Sequence, residues 1–164
     1  MLKQLLQGRF MNHPLHPFLV HLPVGLWIAS LIFDIGFKVN GNTNFAVTSF
    51  YCLLFGLIGA LLAVPAGLAD YVDIPENTMP KRIATTHFMM NGGIIILVAI
   101  NLFLRYRLQF GVPGYITVPQ LALSVFTIIA LSVSGYLGGL LVYRYGIGSR
   151  RESDQDRPGL KRVA

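Results

Sequence analysis

Residues 13–33 read HPLHPFLVHLPVGLWIASLIF, and this stretch decides how the rest of the chain is interpreted. It holds three of the four histidines and three prolines, and it then runs without charge until Asp34. A histidine at the mouth of such an apolar run is costly to desolvate and marks a candidate functional site. The fourth histidine, His87, lies at a similar distance inside a later apolar run. The two places are therefore the first candidates for one shared site.

The composition is typical of an integral membrane protein. The mean hydropathy is +0.60, and only 12% of the residues are charged, about half the usual share in a soluble protein. Four stretches contain no Asp, Glu, Lys or Arg, namely 17–33, 45–69, 83–104 and 115–143. A helix needs about 20 apolar residues to cross a bilayer, so the chain has room for four crossings.

We therefore predict an all-α fold, an up-and-down bundle of four transmembrane helices in the lipid bilayer. The predicted helices span about residues 17–38, 44–72, 81–107 and 116–145. Pro23 removes a backbone donor, and we expect it to kink the first helix next to His21. No internal repeat emerges from comparing residue identities along the chain.

Three segments follow from this assignment. Residues 1–12 have the spacing of a short interfacial helix, residues 13–148 form the transmembrane domain, and residues 149–164 are a charged, mobile C-terminal tail. Asp34 and Asp70 lie near predicted helix ends and are interpreted as end-of-helix charges.

The distribution of basic residues predicts the orientation. Four crossings put both termini on one side together with the loop near residues 73–82, and that side holds ten of the thirteen Lys and Arg residues. Basic residues favour the cytoplasmic side, so both termini are predicted to be cytoplasmic. The net charge of +6 could indicate a nucleic-acid partner, but the basic residues are concentrated on the side predicted to be cytoplasmic, as in a membrane protein. Nucleic acid is therefore not an expected partner.

The positions of the histidines predict a cofactor site near the cytoplasmic face. A helix rises about 1.5 Å per residue, which places His21 and His87 at similar depths in helices that run in the same direction. Glycines of three helices reach this level, namely Gly25, Gly67, Gly138 and Gly139, and Gly92 and Gly93 of the third helix lie just below it. Imidazoles from two helices and bare backbone around them suit a flat macrocycle. Iron held by two histidines is a b-type haem arrangement.

The leading hypothesis is thus a haem b protein that transfers electrons, with His87 as one axial ligand and His21 (or His16) as the other. Asn91 lies one turn from His87 and is expected to line the same cavity. Arg82 and Arg144 are expected to pair with the acidic substituents of the ring.

Other interpretations stay open at this point. The small residues can serve helix packing alone, and the histidines can bond lipid headgroups or the carbonyl that Pro23 frees. The chain would then be an accessory or scaffold subunit of a membrane complex. A third hypothesis is a metal-binding or transport protein that uses His13, His16 and His21. No nucleophile–base motif or phosphate-binding loop is present, so an electron carrier or subunit is favoured over an enzyme. The sequence leaves the redox partner and any homo-oligomer open.

Several segments resemble a known family. They are GRFMNHPLHPFLVHLPVGLW at 8–27, AGLAD at 66–70, Arg82 with His87 and Asn91, and SGYLGGLLVYRYGIG at 134–148. With its HPxHP and GGxLVYxxG motifs, the chain resembles a family of small four-helix bacterial membrane proteins of unknown function.

The resemblance covers roughly residues 8–148 and implies a location in the bacterial cytoplasmic membrane. Some members of the family carry a fused Rieske-type iron–sulfur domain, which would suit electron transfer; this sequence has none. In similar proteins the position of His21 is often acidic, which makes His16 the alternative partner of His87.

Overall fold

A computed structural model describes residues 1–8, 14–108 and 114–148, and these residues form helices and their connections without a strand. The helices are α1 (Leu2–Leu6), α2 (Leu15–Leu19), α3 (His21–Asn40), α4 (Thr43–Tyr71), α5 (Met79–Leu108) and α6 (Val118–Gly139), followed by a π-helical turn at Leu140–Arg144. The predicted tail 149–164 and His13 lie outside the described residues.

Four helical segments are long and apolar enough to cross a membrane, which confirms the predicted number of spans. They are Leu15–Asn40, Thr43–Tyr71, Met79–Arg107 and Val118–Arg144. Within the bundle, α3 packs on α4 and α6, and α5 packs on the same two helices. The diagonal helices α3 and α5 are therefore held apart by α4 and α6.

The first span is broken where its prolines predict it. α2 ends at Leu19 and α3 begins at His21, so the helix of the first span is interrupted at Val20, which itself keeps helical torsion angles (φ −68°, ψ −16°). Pro23 has no N–H to donate to the carbonyl of Leu19, and the α-helical hydrogen-bond pattern is interrupted there. α2 packs on α4.

The other end of this span is closed by local chemistry. Gly41 adopts φ +70°, a left-handed conformation that glycine accepts without strain, and its N–H donates to the carbonyl of Phe37 at 2.8 Å. Asn42 then caps α4 by accepting a hydrogen bond from the Asn44 N–H at 3.0 Å. The α3–α4 connection is consequently a tight turn.

The apolar core lies at mid-height of the bundle, between all four long helices. Its buried members are Trp27, Leu53, Ala60, Ile94, Val98 and Leu102. The Trp27 indole lies against the bare backbone of Gly56 and donates to the carbonyl of Leu53 at 3.4 Å. Small residues on α4 thus let α3 approach closely.

Asp34 and Arg105 are completely buried, which corrects the interpretation of Asp34 as an end-of-helix charge. Two bonds join them, with Arg105 Nη1 at 2.9 Å from one carboxylate oxygen and Nη2 at 2.6 Å from the other. Each charge is compensated inside the protein, and this makes its burial tolerable. The pair lies at the end of the bundle opposite the α4–α5 connection.

The two halves of the chain repeat each other in their buried positions. Asp34 and Arg105 are 71 residues apart, as are His16 and His87. At the same offset both residues are buried in the pairs Pro23/Ile94, Trp27/Val98, Ser30/Asn101, Asp34/Arg105, Ser49/Gln120, Leu53/Ser124, Gly56/Thr127 and Ala63/Ser134. The helix packing is also unchanged when α3 is exchanged with α5 and α4 with α6. The bundle is therefore built from two equivalent helix pairs, although few residue identities are shared.

Gly56→Ala is expected to destabilise the bundle by about 1–3 kcal/mol, because the added methyl group would overlap the Trp27 indole in a packed core. Gly25→Ala is the matched control, since a Cβ at Gly25 meets nothing within 4 Å. That control should gain up to about 1 kcal/mol from helix propensity. Thermal unfolding of the detergent-solubilised protein measures both. Equal melting temperatures for the two variants would contradict the prediction.

Candidate functional site

A cavity of about 550 Å³ opens at the end of the bundle that carries the α4–α5 connection. We call it the histidine cavity, because His16, His21 and His87 all line it. Residues from α2 to α6 and from the π-helical turn form its walls, which are mostly apolar. Its volume lies within the range of about 300–1,000 Å³ that is usual for cofactor and small-molecule sites.

His16 reaches the cavity from α2 and is held by α4. Its Nδ1 lies 3.1 Å from the carbonyl oxygen of Ala63. A carbonyl can only accept, so Nδ1 carries the proton and donates it, and Nε2 keeps its lone pair. A Cβ built at Gly67 would lie 2.8 Å from Cε1 of this ring, so the imidazole fits only because residue 67 has no side chain.

His87 is held by α6 in the same way. Its Nδ1 lies 2.9 Å from the carbonyl oxygen of Ser134 and 3.1 Å from the Ser134 hydroxyl. A Cβ built at Gly138 would lie 3.0 Å from Cε1 of this ring. In both halves the histidine binds a carbonyl 47 residues further along the chain, and the glycine follows that carbonyl by one turn. The two imidazoles are thus equivalent in position and in tautomer.

Asn91 distinguishes the two histidines. Its Nδ2 lies 3.0 Å from Nε2 of His87 and donates to the His87 carbonyl at 2.8 Å. Nε2 of His87 therefore accepts a hydrogen bond from Asn91, whereas Nε2 of His16 has no such donor among the described residues. Val20 occupies the equivalent position beside His16 and offers no donor. A ligand that binds Nε2 of His87 must displace the Asn91 amide.

His21 lines the cavity in a different way from the other two histidines. It is exposed at the start of α3, and its Nδ1 lies 3.2 Å from the carbonyl oxygen of Phe18 in its own segment. Within the described part of the chain no second long helix hydrogen-bonds to its ring, whereas α4 fixes His16 and α6 fixes His87. His16, which α4 holds as α6 holds His87, is therefore the structural counterpart of His87.

The remaining residues predicted for the site divide into two groups. Gly67, Gly138, Gly139 and Asn91 line the cavity. Gly25, Arg82 and Arg144 are exposed and do not line it. The Arg144 guanidinium lies over the ring of Tyr145 at 5.6 Å, in a contact outside the cavity wall.

Several features of the site were not predicted. The carbonyls of Ala63 and Ser134 orient the two rings, and Gly135 adds bare backbone to the wall, to which the predicted Gly92 also belongs. A Cβ at Gly92 or Gly135 meets nothing within 4 Å. Each histidine is 47 residues from the carbonyl that it binds. This shared separation is the sequence signal from which the two carbonyls could have been predicted as partners of the histidines.

These observations define the class: an all-helical membrane protein with four spans and a histidine-lined cavity at one end. Residues 12–151 match the model of a family described as predicted membrane protein (DUF2231), and the chain belongs to this family. No curated protein matches the chain, and no solved structure does. The description of the family gives a membrane location and no activity.

Gly67→Ala should displace the ring of His16 and break its bond to Ala63, while Gly138→Ala should do the same to His87 and Ser134. Nitrogen NMR of the protein labelled in its histidines reports the tautomer of each ring. We expect the Nδ1-protonated tautomer at His16 and His87, lost at one ring in each variant. Gly93→Ala is the control, since a Cβ there meets nothing within 4 Å. Unchanged spectra in both variants would contradict the assigned bonds.

Proposed function

We propose that this protein is a b-type haem protein of the membrane, with His16 and His87 as the axial ligands, and that it transfers electrons. The observation that carries the proposal is the matched pair of imidazoles on one cavity. Each has its Nδ1 bound to a backbone carbonyl, at 3.1 Å for His16 and 2.9 Å for His87. Histidine ligands of metals commonly donate their second ring nitrogen to a carbonyl, which fixes the ring and makes Nε2 a better ligand.

The chemistry of the surrounding residues fits a macrocycle. Gly92 and Gly135 present bare backbone at the cavity wall, where a flat ring can approach. Trp27, Ile95 and Leu131 line the cavity where it meets the apolar core and would exclude water from the ring. A bis-histidine haem supplies one-electron transfer without an open coordination position. This chain's own part is to orient the ligands, exclude water and release Nε2 of His87 from Asn91.

His16 replaces His21 as the preferred partner of His87 in this proposal. The reason is the equivalence of the two halves, which pairs residue 16 with residue 87 at the offset of 71 residues. Residues 16 and 87 would then hold the haem iron from the two halves of the bundle. His21 stays the alternative, because it also lines the cavity.

A metal site made by the histidine cluster has less support. Among the described residues, no three His, Cys, Asp or Glu side chains lie close enough together to hold a metal ion. His13, which that hypothesis needs, lies outside the described ranges. The accessory-subunit hypothesis remains the alternative, and the haem-binding experiment below distinguishes it from the haem protein.

Protein purified from cells supplied with a haem precursor should show a Soret band and sharp α and β bands on reduction. His16→Ala and His87→Ala should each abolish this low-spin spectrum, because one axial ligand is lost. His21→Ala and His13→Ala are the matched controls and should keep it. If His21→Ala abolishes the spectrum and His16→Ala does not, the assignment of His16 is wrong. Colourless protein that also fails to bind added haem would overturn the proposal and favour the accessory subunit.

We further propose that both termini lie in the cytoplasm of a bacterium, with the histidine cavity near the cytoplasmic face of its inner membrane. Support comes from the basic residues near the cavity end, where Lys3 pairs with Asp73 and Lys81 with Glu76. A green fluorescent protein fused after residue 164 should fluoresce, and alkaline phosphatase at that position should be inactive. The reverse pattern is expected for fusions after Gly41. Activity of the phosphatase after residue 164 would invert the proposed topology.

A further inference from the structure

The Asp34–Arg105 pair joins the two spans that carry the proposed ligands, Leu15–Asn40 with His16 and Met79–Arg107 with His87. Asp34 is on α3 and Arg105 on α5, the diagonal helices that α4 and α6 separate. The carboxylate and guanidinium meet through two parallel bonds of 2.9 and 2.6 Å, and both side chains are almost fully buried. The bond pair therefore crosses the centre of the bundle.

Polar residues from α4, α5 and α6 complete this pair. Ser49 of α4 hydrogen-bonds to the Asp34 carboxylate and accepts from Arg105 Nη1 at 2.8 Å. Ser124 of α6 donates to Asp34 at 2.6 Å and accepts from Arg105 Nη2 at 3.2 Å. Asn101 accepts from Arg105 Nε at 3.0 Å. All four long helices thus meet at one polar centre whose geometry depends on both charges.

The pair and the cavity lie at opposite ends of the same two spans. Asp34 follows His16 by 18 residues, and Arg105 follows His87 by the same number. At the rise of an α-helix this separation is about 27 Å in each half. A shift of α3 against α5 at the polar centre is carried along α5 to His87. In the other half it is carried along α3 and across Val20 to α2 and His16, because hydrogen bonds from the Val20 N–H to His16 and from the Val24 N–H to Val20 connect the two segments.

The two positions are also equivalent, which determines how the charges must be distributed. At the offset of 71 residues, Asp34 in the first half corresponds to Arg105 in the second. Two identical residues at these positions would place like charges together. Exchanging the two residues, in contrast, should rebuild the pair between Ser49 and Ser124, because each serine already contacts both side chains.

We infer that Asp34 and Arg105 are positioning residues, which fix the first helix pair against the second and so set the separation of His16 and His87. The effect on haem ligation rests on the proposed function. The positioning of the first helix pair against the second is independent of the proposed function, and it can be measured on the protein without haem.

The experiment measures distances between spin labels in the full-length chain, with Cys52 replaced by serine. Labels at Phe18 and Met89, equivalent positions that are each 68% exposed, report the separation of the two halves. Labels at Phe18 and Leu62, which is 63% exposed, report the first half alone and serve as the control. The comparison uses Asp34→Arg, the exchange Asp34→Arg/Arg105→Asp, and the apolar pair Asp34→Leu/Arg105→Met.

Asp34→Arg leaves two unpaired buried cations and should abolish folding or shift and broaden the distance between residues 18 and 89. The exchange should restore the wild-type distance. The apolar pair should fold, since apolar substitution of both partners removes the buried charge, but with a broadened 18–89 distance and an unchanged 18–62 distance. An exchange variant that behaves like Asp34→Arg would overturn the inference. An apolar pair with the wild-type 18–89 distance, or with both distances equally disturbed, would overturn it as well.

The same variants, supplied with haem, give a second measurement. In the exchange variant the low-spin spectrum should match the wild type, and in the apolar pair a high-spin component should appear as one ligand fails to reach the iron. Colourless wild-type protein would refute the proposed function and leave the distance measurement valid. A wild-type spectrum in the apolar pair would refute the positioning role and leave the proposed function intact.

Discussion

The structure depends on one constraint, that polar groups inside an apolar bundle must find their partners within it. A bilayer supplies no water to satisfy a buried charge or an imidazole N–H. Arg105 meets this constraint with the Asp34 carboxylate, and His16 and His87 meet it with backbone carbonyls. In each case the partner lies on a different helix, so satisfying the polar group also fixes two helices against each other. The same bonds that permit burial therefore define the tertiary arrangement.

Glycine determines where the helices can use such bonds. The carbonyl of Ala63 is already part of the α4 hydrogen-bond pattern, and a second donor can reach it only if the helix surface nearby is bare. Gly67 provides that surface for His16, and Gly138 provides it for His87. The presence of glycine at these two positions is thus explained by the imidazole rings beside them, without reference to close helix packing in general. Gly25, in contrast, has open space beside it and no neighbour that requires it.

Hydropathy was sufficient to predict the four spans, because the bilayer sets their length and forbids charge in most of it. Depth along a helix was also readable, and it placed Gly67, Gly138 and His87 at one level; the structure brings them to one cavity. The direction in which a residue faces was not readable from depth. Gly25 has the right level and the wrong face, and Asp34 was assigned to a helix end although it faces the bundle centre. The break at Val20, which separates His16 from His21, follows from Pro23 only once the packing of α2 on α4 is known.

The repeat escaped comparison of residue identities for a physical reason. What the two halves share is which positions are buried, while the residues at those positions have to differ. An ion pair across equivalent positions needs opposite charges, so Asp34 cannot be matched by a second aspartate at position 105. Trp27 fills the core from one side only, and the corresponding Val98 leaves room for it. Near the cavity, Asn91 donates a hydrogen bond to Nε2 of His87, whereas Val20 at the equivalent position cannot donate one to Nε2 of His16. In each case, different residues at equivalent positions let the two halves contact each other. The two halves therefore pack together because their sequences differ at these positions.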